Sequence, residues 1–185
     1  MSDGEGPASV RTTLDYRPAL EHLDLLAPPV ARALQGWPGA EHVEVVQIDP
    51  AISDTASLVA ATGQDPADMG NCVVVGGRRD GVERVAACVV LATTRADVNG
   101  TVRGRLEVRK ASFLPMERAV EATGMEYGAI TPIGLPPSWA LLVDAAVVLR
   151  DAVVVGAGVR AAKLRLPGRL LGGLPGVQVI DGLAR

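Results

Sequence analysis

Residues 124–136 read GMEYGAITPIGLP, a stretch in which glycine and proline recur at short intervals. Gly128 and Gly134 permit a positive φ or a close approach of the backbone to another group. Pro132 and Pro136 fix φ and lack an N–H donor. Such a loop is rigid and can present backbone N–H and C=O groups to a ligand without flexing. From the residues alone, the loop is either part of a ligand pocket or a structural crossover.

Short β-branched segments lie on both sides of this loop. Upstream, residues 71–76 and 83–92 are rich in valine, and the intervening Asp80-Gly81 pair is a strong hairpin-turn signal. Further strands are predicted around residues 43–48, 140–143, 147–149, 153–155, 162–166 and 177–180. Since short strands outnumber helices, we expect a mixed α/β fold, either a mixed sheet or a partly closed barrel, with helices packed outside.

Local capping signals predict the helices. Ser53 or Asp54 can cap a helix over residues 55–62, and a second helix over residues 115–123 begins at a proline and ends at a glycine. Nearer the N-terminus, leucine spacing predicts a helix from residue 14 to residue 26 and a shorter one from residue 30 to residue 34. We therefore assign residues 1–40 to a polar tail, expected to fray up to residue 13, and a helical hairpin extension. Residues 41–185 form the main domain.

The composition is that of an ordinary globular protein. The chain has 185 residues, 48% of them apolar and 21% charged, which suits one domain and excludes disordered, collagen-like and coiled-coil classes. Only two lysines, Lys110 and Lys163, occur among the 18 basic residues, so a mechanism that needs a lysine has two candidates. Residues 1–102 carry 7 basic and 14 acidic side chains, whereas residues 103–185 carry 11 and 7. An anionic partner would therefore meet the second half, although the net charge of −3 argues against a general DNA coat.

Several functional classes lack their usual sequence signals. No apolar run is long enough to span a bilayer and the first residues are polar, so we expect a cytoplasmic protein that does not bind membranes. Cys72 and Cys88 lie in valine-rich runs and are expected to be buried free thiols. Two cysteines 16 residues apart and two distant histidines lack the spacing of a zinc site, and we expect no metal.

A glycine pattern at residues 153–161 resembles a dinucleotide fingerprint. Pro167 and Gly168 break the helix that should carry the phosphates, and only four residues follow Asp181. We interpret the pattern as a tight turn between strands, and we expect no cofactor.

The order of these segments is similar to that of a known family. The segments that carry the likeness are Thr55-Ala56 with Gly63, Cys72 to Val75, Arg109 to Phe113, Gly128 to Gly134, Leu142 to Asp144, and Gly156 to Arg160. Together they resemble the YbaK/prolyl-tRNA synthetase-associated editing domain family over roughly residues 45–180, and the G-x-x-x-P loop is the most specific element. The resemblance implies a mixed α/β domain that deacylates mischarged aminoacyl-tRNA in trans, helped by the terminal ribose hydroxyl of the tRNA.

The resemblance also implies site residues. In the family the glycine and proline loop forms part of the aminoacyl pocket. The matching substrate contacts here are Gly128, Thr131, Pro132 and Gly134, with Asp144 and Gly158 following in the expected order. The family usually has a lysine on the strand after the first helix, and the matching position here is Asn71 or an immediate neighbour. Neither Asn71 nor Cys72 supplies a cation, although the Asn71 amide can donate hydrogen bonds without a charge. Lys110 is the candidate to replace that lysine, or else it belongs to a solvated basic face with Arg103 and Arg105.

These expectations give one function and two alternatives. The first is a deacylase whose partner is the acceptor end of an aminoacylated tRNA. The second is a family member that binds aminoacyl-tRNA, or a small aminoacyl ligand, without hydrolysis because the lysine is lost. The third is a domain whose pocket serves an unrelated small molecule.

Overall fold

Two sheets flanked by short helices make up the structure, a computed structural model that describes residues 12–185. The helices and strands follow one another as β1 (Arg17–Pro18), α1 (Pro28–Gln35), β2 (Glu44–Gln47), α2 (Thr55–Thr62), β3 (Gly70–Arg79), β4 (Val82–Leu91), α3 (Arg103–Leu106), β5 (Ala111–Phe113), α4 (Met116–Thr123), β6 (Ala140–Asp144), α5 (Ala145–Val148), β7 (Val153–Gly156), β8 (Ala162–Leu166), α6 (Gly168–Leu171) and β9 (Val177–Ile180). None of the helices in this part of the chain is long and apolar enough to cross a membrane.

The larger sheet has the strand order β5-β3-β4-β6-β9. Strands β3 and β4 form the hairpin that the sequence predicts, and its two turn residues, Asp80 and Gly81, have φ values of 52° and 80°. Positive φ at both positions matches the right-handed twist of the flanking strands. Strand β6 then pairs in parallel with both β4 and β9, so the sheet is mixed.

The smaller sheet is antiparallel, with the strand order β1-β2-β8-β7. It joins the larger sheet where Met69, which immediately precedes β3, forms an isolated parallel bridge with Val154 of β7. The described residues therefore form two connected sheets and not a closed barrel. The mixed α/β class with helices outside the sheets is confirmed.

One hydrophobic core extends from the N-terminal segment to both sheets. Val30 and Leu34 of α1 are buried in the same cluster as Val143 of β6 and Leu164 of β8. Burial of side chains of this size supplies about 1.5 to 3 kcal/mol each. The packing thus fixes α1 against the strands that follow residue 41, while the domain boundary at residue 40 stays a prediction.

The prediction of an N-terminal helical hairpin is wrong in its first half. Residues 14–26 instead form the short strand β1 and two 3₁₀ turns, at Ala19–Glu21 and Leu23–Leu25. Pro18 lacks the N–H that a helix interior needs, and Arg17 pairs with Val45 at the edge of the smaller sheet. Most of the predicted fraying tail, residues 1–11, lies outside the described residues.

A second correction concerns residues 147–149, which were expected to form a strand. The structure has helix α5 there, because Asp144 caps its first turn by accepting a hydrogen bond of 2.8 Å from Ala146 N–H. The apolar run without polar alternation could not separate a strand from a buried helical turn. Helix α2 and strand β9 match their predicted bounds.

Candidate functional site

A cavity of about 430 Å³ lies where the two sheets meet. Its wall combines the start of β3, the end of β7, Lys163 of β8, the N-terminal end of α2, the segment that joins β5 to α4, and residues 127–130 of the glycine and proline loop. A Cβ on Gly70 would lie 3.0 Å from Val155 Cγ1, which shows how closely β3 and β7 approach. A concave site with a few polar groups among apolar ones is typical of a ligand pocket.

Lys163 places a positive charge inside this cavity. It lies in the middle of the smaller sheet, opposite Val46 of β2 on one side and Gly156 of β7 on the other, and is only 7% exposed. None of the ion pairs within residues 12–185 involves it. Burial lowers the pKa of the Lys163 ammonium from its ordinary value, Asp54 opposes this effect, and Arg160 adds to it. A buried cation without an ion-pair partner favours the arrival of an anion.

The N-terminal end of α2 contributes neutral polar groups and a carboxylate. Thr55 Oγ1 donates a hydrogen bond of 3.1 Å to Asn71 Oδ1, so the Asn71 amide group keeps its N–H donors for another partner. Ser53 is 1% exposed, and its Oγ has no hydrogen-bond partner in the part of the chain that the structure describes. Asp54 accepts a hydrogen bond of 3.0 Å from Ser57 N–H, and hydrogen bonds from Ser57 lower the pKa of the Asp54 carboxyl.

Gly128 lines the cavity, and the Arg160 side chain lies next to it. Gly128 has a φ of 80°, and a Cβ built on it would lie 3.6 Å from Arg160 Nη1. The Arg160 backbone N–H donates a hydrogen bond of 2.6 Å to Glu126 Oε2, and its Nη2 donates one of 3.0 Å to the Pro50 carbonyl. These bonds hold the guanidinium beside the loop that the sequence singles out.

The two cysteines are free, as the sequence predicts. Cys72 lines the cavity, while Cys88 is buried in a cluster on the other face of the larger sheet. Burial raises the pKa of the Cys72 thiol well above its ordinary range. A protonated thiol is a poor nucleophile, so the environment of Cys72 does not favour a nucleophilic role for it.

The structure brings only some of the predicted site residues together. Asn71 and Gly128 line the cavity. Lys110 is exposed just before β5 and does not belong to the lining, although it continues into Phe113, which does. Lys163, the other lysine, takes the position inside the cavity that the sequence hypothesis gave to Lys110.

The later part of the loop faces another part of the molecule. Pro132 and Gly134 line a second cavity of about 620 Å³, next to Trp37 and Trp139. A Cβ on Gly134 would lie 2.5 Å from the carbonyl oxygen of Pro29, so this glycine allows the loop to pack on α1. Neither residue lines the first cavity, and their role as substrate contacts stays a prediction.

Thr131, Asp144 and Gly158 also lie outside the first cavity's lining. Thr131 is fully buried, and its Oγ1 has no hydrogen-bond partner among residues 12–185. The Asp144 carboxylate caps α5 and accepts a hydrogen bond of 2.8 Å from Ala184 N–H. Gly158 has a φ of 78°, and a Cβ on it would lie 2.4 Å from Ala27 Cβ. The contacts of Asp144 and Gly158 are with the protein itself.

Sequence reasoning gave no site role to several polar lining residues, among them Lys163, Ser53 and Thr55. A signal for Lys163 existed, because it is a lysine inside an apolar run that predicts a strand. Ser53 was considered only as a cap of α2, a role that Asp54 fills. Among residues 12–185, no group of three or more His, Cys, Asp or Glu side chains is arranged to hold a metal ion.

One family model and several solved structures match this chain. The model of the aminoacyl-tRNA editing domain family matches residues 49–172. No curated protein matches the chain. The crystal structure of a candidate trans-editing enzyme for prolyl-tRNA synthetase superposes with a TM-score of 0.68 at 22% identity, covering 84% of this chain and 97% of that one. A structure from work on epitope backbone grafting onto scaffold proteins has a TM-score of 0.71 at 21% identity, covering 84% and 95%.

The two structural likenesses show the fold alone, because both identities are low. The family match is more informative, since it spans the α2 end, the β3 strand, the loop and Lys163. It also covers well over half of the chain. This protein belongs to the aminoacyl-tRNA editing domain family.

Proposed function

We propose that this protein hydrolyses the ester bond of mischarged aminoacyl-tRNA in trans. The observation that carries the proposal is Lys163, a buried lysine in the same cavity as Asn71, the position that matches the family's lysine. In this proposal Lys163 of β8 supplies the cation in place of a lysine on β3.

The reaction needs a positioned water and stabilisation of a developing negative charge. Water attacks the carbonyl carbon, the carbon–oxygen bond to the ribose breaks, and the ribose oxygen takes up a proton. The products are the free amino acid and the deacylated tRNA. Fixed donors around the carbonyl oxygen lower the barrier most, because they are already oriented when the charge develops.

Lys163 and Asn71 are the donors that we assign to this charge. Lys163 supplies a charge-assisted hydrogen bond, which is roughly twice as strong as a neutral one. The Asn71 amide supplies a neutral bond, and its orientation is held by Thr55. Burial lowers the pKa of Lys163, and an anion beside the ammonium offsets this effect. The ammonium is therefore stabilised as the negative charge forms.

The partner is the acceptor end of a tRNA that carries an amino acid, and we propose that the protein acts in the cytoplasm. Gly128 contributes backbone to the aminoacyl pocket, while Gly134 and Gly158 hold the loop in place through the contacts described above. Phosphate contacts would make the affinity fall as salt rises.

A panel of mischarged tRNAs incubated with the protein tests this function, with release of the amino acid as the readout. We expect at least one member to be deacylated, and Lys163→Met to lower its rate by about 100-fold, as removal of one oxyanion donor does elsewhere. Arg169→Met is the matched control, because Arg169 of α6 is exposed and outside the cavity. No deacylation of any member at micromolar protein would refute the proposal.

Asn71 favours a second candidate function, binding without turnover. A neutral amide at the matching position weakens charge stabilisation if Lys163 does not reach the ester. Comparing native protein with Asn71→Lys distinguishes the two functions. Activity that appears only in the substituted protein would show that the native chain binds aminoacyl-tRNA and does not hydrolyse it.

A further inference from the structure

The exposed aromatic residues of this chain are concentrated at one place. The sequence contains one phenylalanine, two tyrosines and two tryptophans, all within the described residues. Only Phe113 and Tyr127 are exposed, at 63% and 61%, while the other three are half-buried. Both exposed rings line the cavity that holds Lys163.

These two rings form part of a larger apolar rim. Met116, at the start of α4, is 50% exposed and lines the same cavity. Among residues 12–185, the other large exposed apolar side chains are Leu20, Val82, Leu149 and Val179, none of which lines it. Apolar residues that are exposed singly need no explanation, whereas a group around a cavity indicates a binding surface.

The positions of the rings follow from the strand and loop that carry them. Phe113 ends β5, the edge strand of the larger sheet, where it pairs with Val75. Tyr127 immediately precedes Gly128 in the loop. The rings therefore come from separate elements that meet only at the opening of the cavity.

One cation lies next to a lining residue of the cavity, and two more precede Phe113 in the chain. Arg160 is placed next to Gly128, and Arg109 and Lys110 are exposed directly before β5. In the described part of the chain, neither Arg109 nor Lys110 forms an ion pair. The nearby Glu126 carboxylate accepts the Arg160 backbone N–H. Flat apolar rings flanked by free cations suit a ligand that combines flat bases with phosphates.

We infer that Phe113 and Tyr127 stack on unpaired nucleobases at the 3′ end of the RNA while its ester enters the cavity. Aromatic side chains hold single-stranded nucleic acid in this way, because every base offers a π face. Arg109 and Lys110 then contact phosphates on the strand side of the opening. The inference rests on the proposed function for the identity of the RNA, but base stacking can be measured without turnover.

The test measures equilibrium binding of an uncharged RNA hairpin with a single-stranded CCA end. Fluorescence anisotropy at low salt is the readout. We expect Phe113→Leu and Tyr127→Leu each to weaken binding by about 10-fold, since leucine keeps the apolar surface but not the ring. Phe113→Tyr should restore affinity to near the native value. Leu149→Ala is the matched control, because Leu149 is 83% exposed and away from the cavity.

A second probe separates this inference from the proposed function. The ethyl ester of an amino acid carries no nucleobase, so its hydrolysis should depend on Lys163 and remain unchanged in Phe113→Leu. If the native protein deacylates no mischarged tRNA but binds the RNA hairpin in a way that depends on the two rings, the proposed function is refuted and the stacking stands.

Two outcomes would overturn the stacking. One is native affinity for the RNA hairpin in both leucine variants. The other is an altered preference among amino acids in Phe113→Leu with no change in affinity for uncharged RNA, which would mean that the rim contacts the amino acid and not the bases.

Discussion

Thr55 and Asn71 are joined by a hydrogen bond of 3.1 Å between the Thr55 hydroxyl and the Asn71 side-chain oxygen. The bond connects the first residue of α2 to the second residue of β3, which are 16 positions apart in the chain. It orients the amide whose N–H groups we assign to the substrate. An amide that can rotate freely is a weaker donor to a developing charge, because orientation is lost before the reaction begins.

We therefore expect Thr55→Val to lower the deacylation rate several-fold, and to reduce stability by about 1 kcal/mol through the lost hydrogen bond. Thr62→Val is the matched control, because Thr62 Oγ1 donates a hydrogen bond of 2.7 Å to the Leu58 carbonyl in the same helix but outside the cavity. Single-turnover deacylation and thermal denaturation would measure both effects. An equal loss of rate in the two variants would show that helix stability, and not the Asn71 orientation, is responsible.

Asn71→Lys is expected to cost stability without creating a new activity. It places a second cation in the cavity that already holds Lys163, and like charges in a shared site destabilise each other. Thermal denaturation should show a Tm lower than that of the native protein, and the double variant Asn71→Lys with Lys163→Met should recover much of the difference. No recovery in the double variant would mean that the two positions do not interact.

Lys163→Met should stabilise the protein while it removes activity. The folded-state pKa of Lys163 is lowered by burial from its ordinary value of 10.5, so the buried charge opposes folding at neutral pH. Methionine has a similar length and no charge. We expect the substitution to raise the free energy of unfolding by about 0.5 to 2 kcal/mol, which corresponds to a few degrees in Tm for a chain of this size.

The sign of the pH dependence checks this explanation. Below the lowered folded-state pKa both folded and unfolded chains hold the Lys163 proton, and the full cost is present. As pH rises through that pKa toward 10.5, the unfolded chain retains the proton more tightly and native stability increases. The advantage of Lys163→Met should therefore shrink with rising pH. Urea denaturation at several pH values measures it, and a constant advantage would contradict the assigned cause.

Local signals explain which parts of the fold the sequence predicts. Helix α2 begins at the Asp54 cap and ends at the left-handed Gly63, and the Asp80-Gly81 turn closes the β3–β4 hairpin. Each of these features is determined by residues next to it in the chain. Pairing of Lys163 with Val46 depends instead on strands far apart in the chain. The sequence identifies both lysines as candidates for a cation in the site. Only the tertiary pairing of β2, β7 and β8 shows which of them lies in the cavity.

Gly158 connects the N-terminal segment to the cavity. Its N–H donates a hydrogen bond of 2.9 Å to the Ala129 carbonyl, and its own carbonyl accepts one of 2.8 Å from Glu126 N–H. These two bonds hold the residues on either side of Tyr127 and Gly128. On the opposite side, Ala27 packs where a Cβ of residue 158 would lie. A substitution at Gly158 should therefore disturb the loop as well as the contact with residue 27.

Gly158→Ala combines a strained positive φ with a Cβ only 2.4 Å from Ala27 Cβ, so we expect a loss of about 2 to 4 kcal/mol. Gly182→Ala is the matched control, because Gly182 has a φ of 69° with no atom within 4 Å of its added Cβ. The control should lose only about 1 kcal/mol. Gly158→Ala should also raise the KM for the tRNA substrate, because the displaced loop includes Gly128. Equal Tm losses in the two variants would show that backbone strain alone acts, and that the contact with residue 27 does not position the loop.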